Sequence, residues 1–176
     1  MDVRALTLVI NTVIYVLRGV PLLVLLFLVY FGFPGLGLKV SPMLAMMLSL
    51  GLISGAYLAE VFRGALASVD PSEVLAARAS GMTSFQTMLH IEFPQMLRIS
   101  FQGMVSEFTS VLKYSPFAYT VGIPEITKEA MSLAATTLRG IEIYFVVGCL
   151  YYMIYRVFLL IFKAWERRFR IPGMGP

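Results

Sequence analysis

Charge is scarce in this sequence. Of 176 residues only 14% are Asp, Glu, Lys or Arg, 59% are hydrophobic, and the mean hydropathy is +0.82. A soluble domain is nearer half apolar and a quarter charged, so too few polar side chains remain to coat a water-facing surface. The composition therefore describes an integral membrane protein, the length suggests one domain over residues 1–176, and the apolar runs described next make the expected fold all-α. Histidine and cysteine occur once each, as His90 and Cys149. An internal disulfide is excluded, Cys149 reads as a packing residue, and His90 has no second ligand nearby to suggest a metal. The basic residues form no run interleaved with aromatics, which leaves nucleic-acid binding without support. An intramembrane enzyme would need a nucleophile with its base, or paired acids, at membrane depth; the acids inside the apolar runs are solitary. The start, with Asp2 and Arg4 ahead of an apolar run and no small-residue cleavage site, does not read as a signal peptide.

Long apolar runs are what the sequence does have. A spanning helix needs about 20 predominantly apolar residues. The first run is interrupted at Arg18-Gly19-Val20-Pro21, where proline removes a helix hydrogen bond. A helix at the membrane interface over Ala5 to Leu17, then a span over about 18–33, is expected, with one long kinked helix as the alternative. Further spans are expected at about 42–60, 99–114 and 143–162. Gly51, Gly55 and Ala59 put small residues on one face of the second, a pattern that lets another helix approach closely. Lys and Arg favour the cytoplasmic side. Placing both termini and the segment between Arg63 and Arg98 inside leaves only Lys39, Lys113, Lys128 and Arg139 outside.

The segment 70–94 carries two helix-start signals. Asp70 is a good N-cap with Pro71 behind it and Glu73 at the third position, a capping box with Asp in the Ser/Thr place. That helix stops at Gly81, and Thr83 with Gln86 opens a second helix expected to end by Pro94. The result is a compact knob outside the membrane, with small Ala side chains permitting close approach and Glu73 and Arg78 available to charges on a partner. An ordinary interfacial hairpin is the plainer reading of the same residues.

The stretch Glu73-Val-Leu-Ala76-Ala77-Arg78-Ala-Ser-Gly81, with Ile91-Glu-Phe-Pro94 beginning ten residues after the glycine, resembles the EAA loop of binding-protein-dependent ABC importer permeases. Arg18-Gly19-Val20-Pro21-Leu22-Leu23, Tyr57-Leu58-Ala59-Glu60-Val61-Phe62-Arg63-Gly64 and Val121-Gly122-Ile123-Pro124-Glu125 resemble further landmarks of the polar amino acid branch, the histidine/glutamine/arginine-type permeases. The resemblance implies a type I ABC importer permease-like helical bundle that moves a polar amino acid or similar solute by alternating access. It implies a coupling helix at Glu73, Ala76, Ala77, Arg78 and Gly81, closed by Ile91 and Pro94, that docks on a cytoplasmic ABC ATPase. It also implies a second permease subunit, identical or not, an extracytoplasmic solute-binding protein, and location in the cell membrane. Mg-ATP would belong to the ATPase, since the sequence has no GxxxxGK[ST] phosphate cradle. The additional first span of this branch has no counterpart before Arg4, so about four spans are expected. Lys113-Tyr114-Ser115-Pro116-Phe117 and Gln102-Gly103-Met104-Val105-Ser106 depart from the family pattern. A small channel or assembly subunit is the competing reading, and it gives no reason for the pattern at 70–94.

The third span carries the candidate solute path. Phe101, Val105, Phe108 and Leu112 form an apolar stripe; Gln102, Ser106, Thr109 and Lys113 form a polar one, flanked by Glu107 and Ser110. Polar groups are costly in hydrocarbon and should face the bundle interior. Glu107 is the candidate for a cationic amino group, or else a structural partner of Lys113 or of a partner chain; Ser110 and Ser115 are weaker candidates. Tyr144, Gly148, Tyr151 and Tyr155 share a face and read as a packing seam, and Glu60 with Arg63 as a salt bridge.

Overall fold

The structure is a computed structural model that describes residues 3–169, with side chains from residue 4 to 165. The side chains of Arg167 and Arg168, and all of Arg170, lie outside the described residues. Helix α1 (Val3–Gly19) ends where Pro21 restricts Val20 and can offer no N–H. The chain resumes as α2 (Leu22–Phe27), which continues through a π-helical turn (Leu28–Gly32) and a 3-10 turn (Phe33–Leu36). The two arms meet at 105°, a break rather than a kink, so the apolar arm expected over 18–33 occupies Leu22–Leu36.

Helix α3 (Pro42–Ala67) begins at Ser41, whose Oγ accepts the Leu44 N–H at 3.3 Å, and runs well beyond Glu60. Helix α4 (Pro71–Ala79) and the short α5 (Ser84–Thr87) form the projecting hairpin. The expected stop at Pro94 does not occur. A π-helical turn (Met88–Glu92) leads directly into α6 (Phe93–Tyr114), and the Phe93 N–H bonds to the Met88 carbonyl five residues back. The wider turn accommodates a proline ring that would clash with the carbonyl four residues back in a regular helix. A helical path therefore runs from Ser84 to Tyr114.

A 3-10 turn (Ser115–Val121) closes on Gly122, at φ 88°. Beyond Pro124 the chain forms α7 (Ile126–Thr137). Both carboxylate oxygens of Glu125 cap it, accepting the Thr127 and Lys128 N–H groups at 2.9 and 2.8 Å. Glutamate is not among the preferred N-caps, so this start is easily missed. Leu138, left-handed at φ 58°, turns the chain into α8 (Gly140–Phe169).

Among the described residues, Pro42–Ala67 and Gly140–Trp165 are long and apolar enough to cross a membrane, with mean hydropathies of 1.6 and 2.1; the bent pair formed by α1 and α2 makes a third if it is one span. The polar residues of α6 keep it out of that class. The most extensive helix contact is between α3 and α6, and α8 rests on α7 and α6. The buried cluster of Leu26, Val29, Ala45, Met46, Ala118 and Val121 lies at the end opposite the hairpin, where α2, α3 and the 3-10 turn converge. Close packing, more than water exclusion, joins helices in lipid. The tightest approach is at Gly103 of α6, where an added Cβ would sit 2.5 Å from Val61 Cγ1 of α3. Gly51 and Gly55 are exposed and a Cβ there would meet nothing within 4 Å, so among the described residues no helix is seated on these two positions of the expected stripe, while Ala59 is half-buried.

Candidate functional site

Local chemistry shapes the hairpin. The Asp70 carboxylate accepts the Ser72 N–H at 2.8 Å, and this bond holds its pKa below the usual carboxylate value. The expected reciprocal box with Glu73 does not form, because the Glu73 carboxylate accepts a hydrogen bond from Gln95 Nε2 in the first turn of α6. Helix α4 ends at Gly81, at φ 87°. The Gly81 N–H bonds to the Arg78 carbonyl at 3.0 Å and the Met82 N–H to Ala77 at 3.2 Å, the paired bonds of a Schellman cap. The Thr83–Gln86 capping box is complete, at 3.3 and 2.9 Å.

The residues assigned to coupling divide between two surfaces. Ala76, Arg78 and Gly81 are exposed; Ala77 is buried, and Glu73, Ile91 and Pro94 are half-buried. The outer surface instead gains Leu75, Phe85 and Met88, which are 67%, 66% and 47% exposed. Composition singled out small residues and charges, whereas the apolar groups available for contact had no sequence signal separating them from core.

Helix α6 presents three faces. Phe101 and Phe108 meet Phe158 and Phe162 of α8, with ring centroids 4.6 to 6.2 Å apart. Gln102, Ser106 and Lys113 are exposed, and Ser110 and Ser115 are half-buried. Ser100, Gly103 and Glu107 share the third face at helical spacing, turned toward α3. Glu107 is therefore not beside the polar stripe. It is 9% exposed, and its Oε1 has no hydrogen-bond partner among the described residues. The hydroxyls of Ser106, Thr109, Ser110 and Ser115 donate to carbonyls three or four residues back, at 2.8 to 3.2 Å. With their protons committed, these oxygens present acceptor lone pairs. Beside them an open cavity of about 520 Å³ is lined by Thr109, Lys113, Tyr151 and Tyr155.

Two of the separate sequence landmarks meet in space. Glu60 binds Arg63 through two bonds of 2.7 and 2.9 Å and lies 3.5 Å from Arg18. Arg18 also stands over the Tyr57 ring, whose hydroxyl donates to the Arg18 carbonyl at 3.2 Å. This cluster pins the α1–α2 break against α3. Tyr151 donates to Glu125 at 3.0 Å, joining α8 to the cap of α7. Cys149, expected to pack, is exposed. Gly103 and Gln95, both structurally decisive, went unassigned in the sequence because neither carries a motif on its own.

Comparison with known proteins agrees with this architecture. The chain is 35% identical over 158 residues to "Probable amino-acid permease protein YxeN" of Bacillus subtilis (strain 168), covering 88% of this chain and 70% of that one. It is 31% identical over 179 residues to the nopaline transport system permease protein NocM of Agrobacterium fabrum (strain C58 / ATCC 33970), covering 93% and 74%. The crystal structure of an amino acid ABC transporter with histidines superposes with a TM-score of 0.85 at 31% identity, covering 96% of this chain and 78% of that one. Residues 2–171 match the binding-protein-dependent transport system inner membrane component family. With the broken first arm, the capped hairpin and the α3–α6 pair in place, the chain belongs to that family of membrane permeases.

Proposed function

We propose that this permease is the membrane-spanning subunit of an ATP-driven importer for a polar amino acid or a closely similar solute, working by alternating access. It acts as one of a pair, with ABC ATPases at the hairpin side and a solute-binding protein at the other. The carrying observation is the continuous helical path from Ser84 to Tyr114, which joins an exposed knob to the helix that holds Glu107. A push at the knob moves the interior of the bundle without an intervening joint, as rigid-body switching requires. Basic residues support the orientation: Arg63, Arg78, Arg98 and Lys163 lie toward the hairpin side, and Lys39, Lys113, Lys128 and Arg139 toward the other. Both termini are cytoplasmic in this reading.

The solute chemistry follows from the acceptors on α6. The Glu107 carboxylate, with Oε1 free of partners among the described residues, suits an ammonium group, and a charge-assisted hydrogen bond to it supplies the strongest anchor; the serine acceptors belong to a separate face of α6. The relatives named for amino acids, histidines and nopaline support a solute carrying amino and carboxylate groups.

The test is uptake in proteoliposomes holding the permease with its ATPase and binding protein. Wild type should accumulate a polar amino acid only with ATP. Gly81→Val should lower uptake by tenfold or more, because a β-branched residue is strained in the left-handed cap, where any L side chain costs about 1–2 kcal/mol. Solute flux without ATP would favour the channel reading, and unchanged uptake by Gly81→Val would overturn the coupling assignment.

A further inference from the structure

We propose that Gln95 is a positioning residue for energy coupling: it holds the Glu73 carboxylate, and through it the knob helix α4, to the start of α6. The inference rests on the importer reading and adds to it the residue pair through which the knob passes its motion to the bundle.

Three observations carry it. First, Glu73 and Gln95 are 22 residues apart, and each is the third residue of its helix, α4 and α6. Their bond is the one side-chain hydrogen bond that joins those helices among the described residues. Second, α4 otherwise packs on α5 and on the π-helical turn that follows it, and the Schellman cap fixes the turn between α4 and α5. Without a further tie, the first turn of α4, its near end, could swing about the Gly81 turn. The Glu73–Gln95 bond fixes its near end, so displacement of the knob acts on α6 directly. Third, the two side chains are half-buried, whereas Arg78 on the same helix is exposed. The Glu73 carboxylate is directed toward its own chain, not offered to the docking partner. Gln95 is suited to this bond because its amide nitrogen is a donor whatever the state of neighbouring groups, and a carboxylate is acceptor-only.

The bond predicts which substitutions matter. Glu73→Gln removes the charge but keeps an acceptor for Gln95. Gln95→Leu removes the donor and keeps the charge. Gln95→Glu faces two acceptors at each other, and the double substitution Glu73→Gln/Gln95→Glu restores the bond with donor and acceptor exchanged. The experiment reconstitutes each variant with its ATPase and binding protein in proteoliposomes and measures solute taken up per ATP hydrolysed. Gln95→Leu and Gln95→Glu should each lower that ratio at least fivefold while ATP hydrolysis stays within twofold of wild type. Glu73→Gln and the exchanged pair should stay within twofold of the wild-type ratio. A defect in Glu73→Gln as large as in Gln95→Leu would mean that the charge serves the partner, and would overturn the proposal. So would a wild-type ratio in Gln95→Leu. If Gln95→Leu fails to assemble, the exchange decides alone, because restoration relative to Gln95→Glu supports the bond and its absence overturns it. Failure of the importer reading is distinguishable, since wild type itself would then show no ATP-dependent uptake.

Discussion

At the hairpin end of α6, Glu73 and Gln95 bond to each other, Thr83 and Gln86 cap each other, and Asp70 holds the Ser72 N–H. Midway along the same helix the polar groups are treated differently. Glu107 Oε1 is buried without a hydrogen-bond partner among the described residues, and so are the hydroxyls of Ser49 and Ser54 on α3. Most buried polar groups in folded proteins are paired, and an unpaired one costs about 1–3 kcal/mol. The knob therefore completes itself, by bonds mostly within four residues. The middle of α6 and the α3 segment around Ser49 and Ser54 are held in an unsatisfied arrangement by the packing around them. Under the proposed importer function, the first property suits a part that keeps its shape while pushed, and the second a part that responds to a solute.

The contrast makes the packing at Gly103 the most damaging place to intervene. Gly103→Val would drive a side chain into Val61, itself β-branched and stiff. Overpacking of this kind costs about 1–3 kcal/mol, and should appear as a lower melting temperature of the detergent-purified permease. Adding Val61→Ala should recover part of the loss. An unchanged melting temperature would show that α3 and α6 are not this close.

Glu107→Gln comes next. It removes the buried charge and keeps the shape, so the fold should survive. The uptake KM for a polar amino acid should rise about tenfold, equivalent to about 1.4 kcal/mol of lost binding. An unaltered KM would leave Glu107 as a structural group and shift recognition to the exposed face of α6.

Acid should produce the smallest effect, read here at the knob. The Asp70 carboxylate is lowered from 3.8 by the Ser72 N–H. A group depressed in the folded state stabilises above its unfolded value and loses that contribution as pH falls through its folded one. The protection factors of the first-turn amides of α4, taken against the intrinsic exchange rate at each pH, should therefore fall below about pH 4 in wild type and stay constant in Asp70→Asn. A similar acid response in Asp70→Asn would assign the effect to another group.

The same two regions explain how much of the molecule could be read before its structure was known. Gly81, Thr83 and Gln86 act on neighbours within a few residues, so sequence spacing was enough to place both knob helices. Glu73 looked equally local, yet a side chain 22 residues away displaced its expected backbone contact. Pro94 was a sound reason to end a helix until the π-helical turn removed the clash. For Glu107, the 100° repeat fixed its angle on α6, but no repeat states which neighbour fills that sector. The glycines show the same limit: Gly51 and Gly55 carried the recognisable spacing, and the solitary Gly103 received the neighbouring helix.

From its sequence alone this protein was determined to be a membrane protein with a capped hairpin, because hydropathy and helix capping are local and additive along the chain, and the motifs quoted above added the resemblance to permeases. Tertiary structure alone decided that Arg18 joins Glu60, that Gln95 captures Glu73, and that Glu107 turns toward α3. Those outcomes depend on which surfaces meet across helices, and side chains far apart in the chain compete for the same partner only once the backbone has brought them together.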